Sequence, residues 1–177
     1  MPRLFTGLEI PSEIGFELSL KRGGLSGARW IEPADYHITL RFIGDIDHAL
    51  ARDIDSLLAD IRRAPFEITL DALMTFGGDK PRILAARVQP TSALVDLQAE
   101  QERLLRRLGL APEPRKYTPH VTLARLRNTS AVDVAQFIER NGLFAVRRFQ
   151  AHRFVLYSSK DSVGGGPYVV EAAYPLD

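Results

Sequence analysis

The sequence contains no cysteine. Disulfides, thiolate nucleophiles and zinc or iron–sulfur sites built on cysteine are therefore excluded. Long apolar runs are missing as well. Nothing approaches the roughly 20 residues that span a bilayer, and the opening "MPRLFTGLEIP" is interrupted by Pro11 and lacks the apolar centre of a signal peptide. No membrane contact is expected, and the cytoplasm is the expected address. Net charge is only +1, which argues against a histone-like coat for polyanions but leaves room for a local cluster of Arg facing a small anion. Low-complexity segments and an interdomain linker are absent too. What remains is ordinary soluble composition over 177 residues, enough to bury a sizeable core in a single domain, 1–177, made of two lobes.

The expected elements follow from periodicity and punctuation. "RLFTGLEI" (3–10) reads as a strand ended by Pro11, and "SEIGFELSLKRG" (12–23) as a short helix, followed by the loop "GGLSG" (23–27). "ARWIE" (28–32) and "YHITLRFIG" (36–44) predict strands. Residues 47–63 predict a helix with Leu50, Ile54, Leu57, Leu58 and Ile61 on one face. "FEITLDALMTFG" (66–77) and "RILAARVQ" (82–89) predict strands joined by "GGDKP". Residues 92–109 predict a helix capped by Thr91 or Ser92 and stopped by Gly109. Beyond the loop "APEPRKYTP" come a strand (120–126), a helix (132–142), one or two strands (144–160), a turn at "GGGP" and a last strand (168–176). Strands and helices alternate, yet several neighbouring strands are joined as hairpins. That pattern favours an α+β fold with mostly antiparallel sheet over a doubly wound parallel one.

Histidine is scarce, and two of the four occur in one pattern: "HITL" from His37 and "HVTL" from His120. Each leads into a helix and then another strand, "FEITL" after the first and "FAVRRF" after the second. A duplicated half-domain explains such a two-copy repeat and would put the motifs at related positions. Alternation on a strand sends His37 and Thr39 to one face and Ile38 and Leu40 to the other; His120 and Thr122 likewise oppose Val121 and Leu123. Each motif thus offers an imidazole and a hydroxyl backed by apolar residues.

Two imidazoles can divide a proton-transfer reaction, one taking a proton from water and the other giving one to a leaving oxygen. Two threonine hydroxyls can hold the non-bridging oxygens of a phosphate. On residues alone, a paired active site and two ordinary half-buried strands both stay open. Two histidines without a carboxylate or cysteine make a poor closed metal site, so no metal is expected. Phe5 and Tyr117 are candidates to stack on a base, with core packing the competing role. Arg125 lies five positions after His120; regular alternation aims it away from the motif's polar face unless the strand ends, twists or bulges first. His48 and His152 fit surface or packing roles. The Gly-rich "DSVGGGP" lacks the ending of a nucleotide P-loop and reads as a hairpin turn.

The flanks carry a resemblance. "RLFTGLEIP", "RWIEPADYHITLRFIGDI", "YTPHVTLAR" and "FVLYSSKDSVGGGPYVVEAAYPL", in this order, resemble the two-histidine phosphoesterase superfamily, and within it the RNA 2′,3′-cyclic phosphodiesterases, also called 2′-5′ RNA ligases (LigT-like), over essentially the whole chain. The resemblance implies a bilobal α+β fold: two pseudo-symmetric halves of mostly antiparallel sheet, outer helices and a central cleft. It implies hydrolysis of RNA 2′,3′-cyclic phosphate ends or small cyclic nucleotides to the 2′-phosphate, without metal or other cofactor, by a monomer. By the same resemblance His37 is the general acid, His120 the general base, Thr39 and Thr122 hold phosphoryl oxygens, and Arg125 binds phosphate. Reversible 2′-5′ ligation and a non-catalytic RNA- or nucleotide-binding module are the competing readings.

Overall fold

Apolar–polar alternation makes strands of both histidine stretches, and the question is what lies on either side of them. The computed structural model describes residues 3–141, 144–159 and 166–177. In chain order it holds β1 (Arg3–Glu9), α1 (Ser12–Ser19), β2 (Ala28–Trp30), a single 3-10 turn (Pro33–Asp35), β3 (His37–Asp45), α2 (His48–Ala59), β4 (Phe66–Phe76), β5 (Ile83–Val88), α3 (Ser92–Arg107), β6 (His120–Leu126), α4 (Ala131–Arg140), β7 (Arg147–Ala151), β8 (Arg153–Ser159) and β9 (Tyr168–Pro175). The strands form one antiparallel sheet in the order β7-β4-β5-β6-β3-β1-β8-β9, with the short β2 on β6.

The expected helices are present but shorter. The helix expected over 12–23 stops at Ser19, where i→i−3 bonds close it: Leu20 N–H to Glu17 O at 3.3 Å and Lys21 N–H to Leu18 O at 3.2 Å. Leu20 is largely exposed, so further turns would bury no apolar side chain. α2 begins behind Asp47, whose carboxylate accepts from the Leu50 N–H at 2.7 Å, and it ends at Ala59 rather than 63. Thr91 occupies the cap position of α3, but its hydroxyl makes no capping bond. Gly109 ends that helix as expected. It sits at φ +95°, with Leu110 N–H on Leu105 O and Gly109 N–H on Arg106 O, the paired closing bonds of a Schellman turn. Residues 142 and 160, and most of the expected turn at 161–167, lie outside the described residues.

The sheet is two four-stranded halves, β9-β8-β1-β3 and β7-β4-β5-β6, meeting along β3 and β6. Between these two strands a single residue pair is in register, Ile38 with Val121. These are the second residues of the two motifs, so an approximate two-fold passes between them. The repeat differs in one respect from its linear reading. After α2 the chain crosses to pair β4 with β5; after β7 it crosses back to pair β8 with β1. The counterpart of β4 is therefore β8, and the strand at 147–151 that follows α4 pairs on the far side of β4.

One face of the sheet is covered. Ile38, Leu40, Val121 and Leu123 share a core with Ile14 and Leu18 of α1, Ile54 and Leu58 of α2 and Leu94, Leu97 and Leu105 of α3. Val134 and Phe137 of α4 pack on Leu84, Ala124 and Leu126. Burying each such side chain is worth about 1.5–3 kcal/mol. The helices therefore take the apolar face and leave the His–Thr face open.

Candidate active site

Each motif strand carries a bulge at the same place. Between β1 and β3 the register runs Gly7 with Thr39 and then Thr6 with Arg41, so Leu40 is the extra residue. Between β5 and β6 it runs Ala85 with Thr122 and then Leu84 with Ala124, so Leu123 is the extra residue. Both bulges fall on the leucine that closes the motif. A bulge resets the alternation. Phe42 and Arg125, which regular alternation would aim at the core, turn instead to the His–Thr face.

The result is a cleft of about 310 Å³, lined on one side by Phe5, His37, Thr39 and Phe42 and on the other by Ile83, His120, Thr122 and Arg125, with Asp35, Tyr168, Arg3 and Ser159 also on its wall. The Ile38–Val121 register, continued one step each way, sets His37 beside Thr122 and Thr39 beside His120. The four motif side chains thus alternate across the seam between the halves.

The imidazoles are held alike. His37 Nδ1–H donates to the Asp35 carbonyl at 2.9 Å, and His120 Nδ1–H to the Thr118 carbonyl at 2.8 Å. Each bond goes two residues back and fixes the same tautomer, leaving Nε2 for the cleft. His37 Nε2 lies 3.1 Å from Thr39 Oγ1. The walls differ. Phe5, Tyr157 and Tyr168 place ring centroids at 5.0, 5.4 and 4.9 Å from His37, whereas Phe76 alone, among the described residues, contacts His120 in this way, at 4.6 Å. Burial pushes the His37 imidazole down to about 4, against the pull of the Asp35 carbonyl and with a smaller push from His120. Burial lowers His120 as well, opposed by the Thr118 carbonyl.

Arg125 has a buried Nε with no hydrogen-bond partner among the described residues. A buried guanidinium N–H facing a polar cleft is a ready donor to an anion. Phe5 is 6% exposed, with Tyr157 stacked at 4.9 Å and Tyr168 edge-on at 5.1 Å. It therefore packs His37 in place rather than offering a free face to a base. Tyr117 is not on the cleft wall. Its ring packs against the main core and its hydroxyl donates to the Thr39 carbonyl at 2.8 Å. His48 opens α2 on the surface, and His152 is exposed.

Phe42 and Tyr157 are among the site residues that escape the linear sequence. Phe42 becomes a cleft residue only through the bulge at Leu40. Tyr157 reaches His37 only because β8 crosses between halves, which the motif spacing does not reveal. Asp35 sits two residues before His37, so it was within reach of local reading. Its carboxylate accepts from the Tyr168 N–H at 3.1 Å, tying the final strand to the first motif. Among the described residues no three His, Cys, Asp or Glu side chains cluster as a metal site would need, and no helix is long and apolar enough to cross a membrane.

Known proteins resemble this chain in sequence and in fold. Residues 26–162 match the model of the 2′-5′ RNA ligase superfamily. A protein of Aquifex aeolicus (strain VF5) called RNA 2′,3′-cyclic phosphodiesterase is 31% identical over 172 residues, which cover 94% of this chain and 89% of that protein. One of the same name from Bacillus subtilis (strain 168) is 32% identical over 130 residues, 70% of this chain and 71% of that one. The crystal structure of E. coli LigT complexed with 3′-AMP has a similar fold, with a TM-score of 0.77 at 23% identity over 99% of both chains.

Proposed function

The chain belongs to the 2′-5′ RNA ligase superfamily, and from that premise we propose that it is an RNA 2′,3′-cyclic phosphodiesterase, opening a 2′,3′-cyclic phosphate to the 2′-phosphomonoester. The observation that carries this is one cleft holding two Nε2 atoms from pseudo-symmetric strands, with Thr39, Thr122 and the unpaired Arg125 Nε between and beside them.

The cyclic phosphate sits with its non-bridging oxygens on the Thr39 and Thr122 hydroxyls and the Arg125 guanidinium. Neutral His120 takes a proton at Nε2 from a water molecule as its oxygen bonds to phosphorus. The P–O3′ bond breaks, and protonated His37 gives its Nε2 proton to the departing 3′-oxygen. The product is a 2′-phosphate and a free 3′-hydroxyl; proton exchange with solvent restores the pair. Burial pushes His37 down to about 4, so above that pH the free protein carries it mainly as the neutral ring, and it acts as acid from the minority protonated form. A bound phosphodiester anion beside both rings favours their protonated forms and so supports the loading of His37.

Both halves of the site lie on one polypeptide, which supports a single copy as the catalytic unit and a monomer as the working species. Substrates are RNA 3′ ends or small 2′,3′-cyclic nucleotides, met in the cytoplasm. The test is incubation of the protein in EDTA with 2′,3′-cyclic AMP and with an RNA ending in a 2′,3′-cyclic phosphate, followed by separation of 2′- from 3′-phosphate products. Turnover to the 2′-phosphate is expected. No turnover on either substrate rejects the enzyme reading in favour of a binding module.

A further inference from the structure

The seam between the halves is thinly bonded. Its backbone ladder is reduced to the Ile38–Val121 pair, yet the two imidazoles must hold a fixed separation for acid and base to act on one phosphorus. What supplements the ladder is the loop entering the second motif. Tyr117 donates across the seam to the Thr39 carbonyl at 2.8 Å, one residue beyond the point where pairing stops. Arg41, immediately after the bulge at Leu40, reaches the same loop: its guanidinium donates to the Ala111 carbonyl at 2.5 Å and pairs with Glu102, whose other oxygen accepts from the Glu113 N–H at 3.1 Å.

We propose that Tyr117 is a positioning residue: its hydroxyl takes the place of the missing ladder bond at Thr39 and sets the first motif against the second. The Thr39 peptide carries the hydroxyl that meets His37 Nε2 at 3.1 Å, while Tyr117 stands three residues before His120 and one before Thr118, whose carbonyl orients that ring. One hydrogen bond therefore links the supports of both histidines. Burial pushes the Tyr117 hydroxyl well above its ordinary value, so it remains a donor throughout the pH range in which histidine titrates. A plain phenylalanine here would pack equally well; only the hydroxyl makes the link.

The inference rests on the proposed phosphodiesterase reading, and the test separates the two. Tyr117→Phe keeps the ring and removes the hydroxyl. Hydrolysis of 2′,3′-cyclic AMP is compared with that of the native protein, and the His37 and His120 ring protons are titrated by NMR. With an active native protein, Tyr117→Phe should lower kcat by roughly ten- to a hundredfold with KM within about threefold, and move the His37 titration upward as water enters the seam. A kcat within twofold of native overturns the proposal, even if thermal stability falls. If the native protein is inert, the enzyme reading fails and the titration decides: an unchanged His37 curve in Tyr117→Phe rejects the positioning role, and a shifted curve upholds it.

Discussion

The His37 half and the His120 half share a strand order, a bulge and a tautomer-fixing bond, and differ in what surrounds the ring. Gly7 and Ala85 are counterparts, opposite Thr39 and Thr122; Phe5 and Ile83 stand opposite Phe42 and Arg125; Tyr157 and Phe76 come from the two strands that cross between halves. Ion pairs on the same face are reversed in sense. Glu9, opposite His37, holds Arg153 through bonds of 2.6 and 2.9 Å; Arg87, opposite His120, holds Asp71 through bonds of 2.9 and 2.8 Å. Duplication thus supplies a symmetric frame, and divergence of the outer positions makes the two imidazoles chemically unequal. Three rings pack around His37, and burial pushes it down to about 4, while burial lowers His120 against the Thr118 carbonyl; at the equivalent bulge one half presents an apolar ring and the other a guanidinium whose buried Nε has no partner among the described residues.

The comparison breaks most visibly if one histidine suffices. His37→Ala and His120→Ala should each lower kcat for 2′,3′-cyclic AMP by about 10²–10⁴-fold, with circular dichroism unchanged; a variant retaining a tenth of native activity would show that its half is not catalytic. At the equivalent bulge positions the effects should be unequal. Arg125→Ala removes a charged donor and should lower kcat/KM by roughly ten- to a hundredfold. Phe42→Ala, at a side chain 50% exposed, should cost less than that in the same assay. Equal losses would mean that the two sides of the cleft serve the phosphate alike.

Stability sharpens the same contrast. Burial pushes His37 from near 6.5, its value in the unfolded chain, down to about 4 in the fold. The unfolded chain then binds the extra proton between these values, so stability is full above pH 6.5, falls as pH drops towards 4, and loses roughly 3 kcal/mol from this group. Denaturant melts of native protein and His37→Asn across that window measure it: the acid-side slope should flatten in the variant. The smallest effect concerns strand spacing. A Cβ on Gly7 would lie 2.7 Å from the Ile38 carbonyl oxygen and 3.1 Å from the Tyr157 ring. Gly7→Ala should therefore destabilise by about 1–3 kcal/mol, whereas the equivalent place in the other half is held by the fully buried Ala85.

The sequence carried the elements and the pairing of motifs because both depend on local signals: alternation around His37 and His120, the helical stripe of Ile54 and Leu58, the glycine stop at Gly109. It did not carry what depends on register. The bulges at Leu40 and Leu123 decide whether Phe42 and Arg125 face the cleft, and each is set by the partner strand. The crossing of β4 and β8 likewise brings Tyr157 to His37 and Phe76 to His120 from strands distant in sequence. Nearness to the motif makes Tyr117 a stacking candidate in the sequence; its hydroxyl meets the Thr39 carbonyl instead, where the ladder at the seam is incomplete.

The pH dependence of kcat/KM tests the unequal pair most directly. Measured from pH 4 to 9 in EDTA on 2′,3′-cyclic AMP, it reports the free protein's acid and base together. With both imidazoles lowered, the singly protonated pair is most populated on the acid side of 6.5. A bell with its maximum below pH 6.5 and a falling limb above it is the predicted result. A rate that rises steadily from pH 5 to 9 would show that no protonated histidine takes part, and would contradict the division of labour between His37 and His120.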